Sequence, residues 1–163
     1  MTASGYRPGI IADIVRLHAD YYARQWGFGL AFEAKVAIEL ATFLQDFRDG
    51  QDYFVAETDD DGALLGTISV EAPGNGETLA HLRWFITSDQ SRGTGLGRRL
   101  LGDAIRHCDA CGFPGIYLTT FDGLSAARHL YEGFGFVLVG EAERDQWSGG
   151  VREQRFERPA PAV

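Results

Sequence analysis

Gln90-Ser91-Arg92-Gly93-Thr94-Gly95-Leu96-Gly97-Arg98-Arg99-Leu100-Leu101 is a glycine-rich turn that runs straight into a helical pattern. Glycines at alternate positions let the backbone take tight, partly left-handed turns and approach a ligand with no Cβ in the way. The helix that follows points its unpaired N–H groups and positive dipole end into the turn, which makes an anion site suited to phosphates. Arg92 and Arg98 add charge-assisted contacts to such an anion, although a solvated helix face accounts equally well for Arg98 and Arg99. A glycine triplet alone also fits an ordinary strand-to-helix connection, so the neighbouring segments decide the reading.

Upstream of the turn the pattern is strand-like. Residues 53–57, 64–70 and 78–87 are β-rich runs, separated by Asp59-Asp60-Asp61-Gly62 and by Pro73-Gly74-Asn75-Gly76. Both separators are hairpin signals, so the spacing predicts an antiparallel meander. Further upstream, residues 6–9 read as the end of a first strand. Apolar side chains then recur at helical spacing over 10–24 and, after Gly27 and Gly29, over 30–47. Downstream of the turn, a helix over 95–110 ends at Gly112, followed by a strand over 115–120, a short helix over 124–131 and a strand over 136–141. A last strand over 151–156 is expected to close the sheet, and residues 158–163 to form a loose tail. Strands flanking the glycine helix should be parallel through a right-handed crossover, and the remainder antiparallel. The expected fold is therefore α/β (α+β): one domain over 1–163, with a mixed, mostly antiparallel sheet of about seven strands and helices on both faces.

Composition narrows the partners. At 163 residues a single core is expected, and the net charge of −8 argues against nucleic acid or an anionic membrane while suiting a cationic substrate such as an amine. No apolar run is long enough to span a bilayer and no basic-then-apolar leader opens the chain, so a cytoplasmic protein is expected. Cys108 and Cys111 lie one helical turn apart and read as reduced thiols. With only His107 adjacent, a metal site is not expected.

Two blocks resemble the GCN5-related N-acetyltransferases. Gln90-Ser91-Arg92-Gly93-Thr94-Gly95 is similar to that family's Gln/Arg-x-x-Gly-x-Gly/Ala pyrophosphate loop, and Ala127-Arg128-His129-Leu130-Tyr131-Glu132-Gly133-Phe134-Gly135-Phe136 to its Ala-x-x-Leu-Tyr-x-x-x-Gly-Phe segment. Residues 18–27 resemble the opening of acetyltransferase domains fused to MarR-type regulators, here with no DNA-binding segment in front. The resemblance implies acetyl-CoA as cofactor and a small-molecule or amino-acid-like primary amine as acceptor, with direct attack; family members are often homodimers. It implies that backbone N–H groups of Arg92, Gly93, Thr94, Gly95, Leu96 and Gly97 hold the pyrophosphate, with Gln90, Arg98 and Arg128 around the cofactor. It also implies that the strand before the loop splits from its parallel neighbour at a bulge, so that pantetheine bonds to the backbone of Phe85, Ile86 and Thr87. Tyr131 matches the tyrosine that protonates the departing thiolate.

Two departures stand out. The asparagine common at the start of the helix after the fifth strand is replaced by Phe121-Asp122-Gly123-Leu124, where Asp122 or Ser125 is expected to cap the helix instead. The glutamate used as general base falls near Ala80, which leaves His81, Glu71, Glu33, His18 or a water chain. That gap keeps open a non-catalytic acyl-CoA sensor, whereas the missing Gly-x-Gly-x-x-Gly spacing and the meander ahead of the loop argue against a dinucleotide-binding protein. Tyr21, Tyr22, Trp26, Phe28 and Phe32 cluster where the first two helices join, as core or as an aromatic pocket for a cation.

Overall fold

The computed structural model describes residues 2–74 and 76–162. In chain order these form β1 (Thr2–Ser4), α1 (Ile10–Trp26), α2 (Leu30–Gln45), β2 (Tyr53–Thr58), β3 (Leu64–Glu71), β4 (Ala80–Thr87), a 3₁₀ turn (Asp89–Ser91), α3 (Leu96–Cys111), β5 (Gly115–Phe121), α4 (Ser125–Gly133), β6 (Val137–Ala142) and β7 (Glu153–Pro159). The strands make one seven-stranded sheet in the order β1-β2-β3-β4-β5-β7-β6. The expected meander is present, with β2, β3 and β4 antiparallel and β4 parallel to β5 across the α3 crossover. The first hairpin turn is held by the Asp59 carboxylate, which accepts from the N–H groups of Asp61 and Ala63. At the second, Gly74 and Glu77 exchange backbone bonds. Asn75 lies outside the described residues.

Strand alternation sorts the core into two layers. Val55, Ile68, Val70 and Leu82 face α3, meeting Leu96, Leu100, Leu101 and Ala104. Phe54 and Ala56 face the opposite way, onto Ile10 and Ile14 of α1 and Leu40 and Phe43 of α2. Cys108 and Cys111 are free thiols on α3, and burial pushes the Cys108 thiol up to about 12.

Three expectations are corrected. Residues 6–9 are not strand but a turn ahead of α1, because Pro8 has no N–H for a ladder and the Ile10 N–H closes back on the Arg7 carbonyl. The last strand does not close the sheet at its edge; β7 inserts between β5 and β6, leaving β6 outermost. Both its edges are then paired, and Gln154 and Phe156, on one face of the strand, are buried. Arg158 and Pro159, expected in the loose tail, extend β7 by pairing with Ile116 and Gly115.

The sheet is not continuous at its centre. β4 pairs with β5 only at Ala80↔Ile116 and His81↔Tyr117, and beyond these the two strands part. A register shift opposite Thr67–Ser69 and a positive φ of 48° at Trp84 mark a bulge there. The extra residue keeps Arg83 and Trp84 together on the α1–α2 side, with the guanidinium 4.2 Å from the indole centroid, and turns Phe85 back to the α3 side.

Candidate active site

The split between β4 and β5 opens into a cavity of about 550 Å³. Its wall runs from Thr87, Arg92 and Gly97, at the start of α3, past Phe85, Ile86 and Tyr131 to Lys35, Glu39, His81 and Arg83 below α2.

The glycine turn is fastened at one end of this cavity. Buried Ser91 donates its hydroxyl to the Leu65 carbonyl of β3 at 2.8 Å, and Thr94 Oγ1 donates to the Ser91 carbonyl at 2.5 Å. Gly93 (φ 73°) and Gly95 (φ 83°) occupy the left-handed region where a side chain is strained. The first bond of α3 runs from Arg99 N–H to Gly95 O, so the N–H groups of Gly97 and Arg98 have no intrahelical acceptor. Gln90, Gly93, Thr94, Gly95 and Arg98 form an exposed rim, whereas the Leu96 side chain belongs to the core and leaves only its backbone for a ligand. Arg92 is paired with Asp89 at 2.9 Å, and the Arg98 guanidinium lies 5.6 Å from the Phe134 ring. Arg99 turns away to bond Glu57 of β2 at 2.6 Å.

Arg128 lies off the lining of this cavity. It pairs with Glu132 at 2.7 Å, stands over the Phe156 ring, and lines a separate hollow beside the start of α4. The reason is helical phase: Ala127, Leu130 and Tyr131 centre the face of α4 on the split, and Arg128 falls about 100° round the helix from Ala127. The expected capping by Asp122 or Ser125 is absent: α4 begins at Ser125, the cap position is held by Leu124, and no side chain bonds the helix start.

Tyr131 is 7% exposed, with ring centroids of Phe85, Phe136 and Phe156 at 6.1, 5.9 and 6.4 Å. Burial raises its phenol well above the ordinary value, so it stays protonated at neutral pH.

The candidate bases separate by position. Ala80 is buried in the α3-side core, and His81 points the other way, stacked on Tyr117 at 4.2 Å and lining the cavity. Burial, followed by Arg83, Arg155 and Lys35, lowers His81 to about 3. His18 also lines the cavity, with Nδ1 2.8 Å from the Ile14 carbonyl, and burial lowers it to about 4 despite that bond. Glu33 is exposed on α2, and Glu71 pairs with Arg83 at 3.5 Å away from the lining. Of the aromatic cluster, Phe28 is core, while Tyr21, Tyr22 and Phe32 line the cavity.

The neutral histidines couple stability to acid. An unfolded chain binds a proton at His18 near pH 6.5, the native chain only near 4, so its contribution is complete above 6.5 and is lost as pH falls towards 4. The full loss from His18 is about 3 kcal/mol. Urea unfolding is expected to show stability falling between pH 6.5 and 5, with a shallower slope in His18→Gln; equal slopes would mean that His18 titrates normally in the fold.

Sequence reasoning missed Lys35, Glu39, Arg83, Gln146 and Trp147. Lys35 Nζ bonds Glu39 Oε1 at 2.7 Å, and the other Glu39 oxygen accepts from Arg83. The signal was the i, i+4 pair flanking the Phe32-Val36-Leu40 stripe. Gln146 and Trp147 come from the β6–β7 loop, where Asp145 accepts from the N–H groups of Trp147, Gly149 and Val151. Gly149 is required there, since a Cβ would fall 2.2 Å from the Phe28 ring.

A mixed sheet split between parallel strands, with a glycine turn at the mouth of the split, matches known proteins. The family description "Acetyltransferase (GNAT) family" matches residues 11–136. An uncharacterized N-acetyltransferase of Schizosaccharomyces pombe is 27% identical over 124 residues, 76% of this chain and 75% of that protein. The fold matches the NatC complex bound to Gag peptide and CoA (TM-score 0.76, 17% identity, 99% of this chain and 98% of that one). It also matches a mutant of the spermidine N-acetyltransferase SpeG of Vibrio cholerae (TM-score 0.68, 21% identity, 98% and 94%). This chain belongs to the GNAT family and is an N-acetyltransferase of that fold. Among the described residues no helix is long and apolar enough to cross a membrane.

Proposed function

We propose that this chain transfers an acetyl group from acetyl-CoA to the primary amine of a small-molecule or amino-acid-like acceptor by direct attack. The observation that carries this reading is the single cavity in the β4–β5 split, which joins the α3 glycine turn to a polar wall on the opposite face of the sheet. Acetyl-CoA would supply the thioester carbon. The turn, from Arg92 to Gly97, binds the pyrophosphate through backbone N–H groups, and Gly93 and Gly95 provide the concavity. Phe85, Ile86 and Thr87 line the β4 edge of the split, where β5 no longer occupies the ladder, and their backbone pairs with pantetheine as an added strand. A backbone N–H on this edge polarises the thioester carbonyl, worth about 3 kcal/mol in a dry site.

The amine nitrogen bonds to the carbonyl carbon, the carbon–sulfur bond breaks, and the sulfur takes a proton or hydrogen bond from Tyr131. The nitrogen loses its proton to water. Neutral His81 and His18 are correctly charged to accept it, but with values near 3 and 4 they are weak bases. The cations Lys35 and Arg83 favour the neutral amine that must attack.

Calorimetry with acetyl-CoA tests the assignment. Binding is expected, and Gly95→Val should weaken it by about tenfold or more, since a β-branched residue is strained at a left-handed φ and this costs about 1–3 kcal/mol. No heat at millimolar cofactor would overturn the reading.

A further inference from the structure

The wall of the cavity below α2 has an unusual charge balance. In a chain of net charge −8, Glu39 is the one carboxylate among the described residues that line the cavity, and Lys35 and Arg83 stand on either side of it. One Glu39 oxygen receives Lys35 and the other receives Arg83, so on the lining itself one carboxylate meets two cations. The further partner of Arg83, Glu71, is 3.5 Å away and off the lining. His81 lies between this pair and Arg155, whose guanidinium is 3.9 Å from the Tyr117 centroid on the far side of the stack. Lys35 and Arg83 side chains are only 27% and 19% exposed, so charge there is poorly screened and an anion paired with them counts for more than at the surface. Aromatic rings of Tyr22, Phe32, Trp84 and Trp147 wall much of the rest of this half, beside His18, His81 and Gln146.

We infer that the acceptor is an α-amino acid with an apolar side chain, its carboxylate held by Lys35 and Arg83 and its side chain against Tyr22, Phe32 and Trp147. This inference rests on the acetyl-transfer reading of the same cavity. The one carboxylate on this wall, Glu39, is outnumbered by Lys35 and Arg83, so the wall offers no net negative charge to the ammonium groups of a polyamine. The carboxylate of an amino acid instead completes the Lys35–Glu39–Arg83 set as a second anion between two cations, with the fork of Arg83 suited to it.

The test uses reaction products, whose amide nitrogen carries no charge, so that only the carboxylate differs. N-acetyl-L-phenylalanine and N-phenethylacetamide are titrated by calorimetry into the protein saturated with coenzyme A. The carboxylate-bearing product is expected to bind about tenfold or more tightly. Lys35→Met should reduce that ratio towards one while coenzyme A still binds. In turnover with acetyl-CoA, L-phenylalanine should exceed spermidine in kcat/KM. Equal binding of the two products, tighter binding of the neutral one, or a preference for spermidine would overturn the inference and leave acetyl transfer standing. Failure of coenzyme A itself to bind would remove both.

Discussion

Tyr131→Phe is expected to lower acetyl transfer by about 100-fold or more while leaving acetyl-CoA affinity unchanged. The ring makes the packing contacts, with Phe85, Phe136 and Phe156 around it, and phenylalanine keeps them all. Only the hydroxyl is removed. Burial raises the phenol above its ordinary value, which disfavours a discrete transfer of its proton to a thiolate that is itself less basic. A hydrogen bond strengthening as charge builds on sulfur is therefore the role that fits, and it affects the transition state more than the bound cofactor. Single-turnover kinetics with a fixed amine, alongside calorimetry, separates the two effects. An unchanged rate would take Tyr131 out of the mechanism.

Phe156→Ala is expected to cost about 3–5 kcal/mol of stability, measured by chemical denaturation. Phe156 is fully buried on β7, opposite Leu118 of β5 and Leu138 of β6, so one ring spans the join between three strands. Its loss leaves a cavity that sheet hydrogen bonds keep from collapsing. The total stability of a domain is about 5–15 kcal/mol, so a large share would go. Tyr131 also rests on this ring, and turnover should fall together with stability. A change below about 1 kcal/mol would mean that the layer repacks around the gap.

These two residues show how unevenly the molecule could be read from its sequence. Tyr131 stood in a motif, and it lies on the lining of the β4–β5 cavity. Phe156 was seen only as part of a final strand expected at the sheet edge, because the alternation that identifies a strand carries no information about its neighbours. Elements were legible for a local reason: helical periodicity over 10–24 and 30–47 and the Asp-Gly turn at 61–62 are decided within a few residues. The split at β4 was expected from resemblance alone; the bulge at Trp84 leaves no mark in local patterning. That Arg128 lies off the β4–β5 cavity was not legible either, because a motif states which residues accompany the cofactor in relatives, not which face of α4 each one takes here.

The sequence by itself determined the order of helices and strands, the phosphate-suited turn from Gln90 to Gly97 and the helix that follows it, since glycine conformation and side-chain period act over short range. The tertiary structure alone decided that β7 separates β5 from β6, and that Glu39 on α2 meets Arg83 on β4 across the cavity. Those two residues are 44 positions apart in the chain. Their meeting depends on how α2 packs across the sheet and on the bulge that sets where Arg83 points, and both are settled by burying the whole core at once.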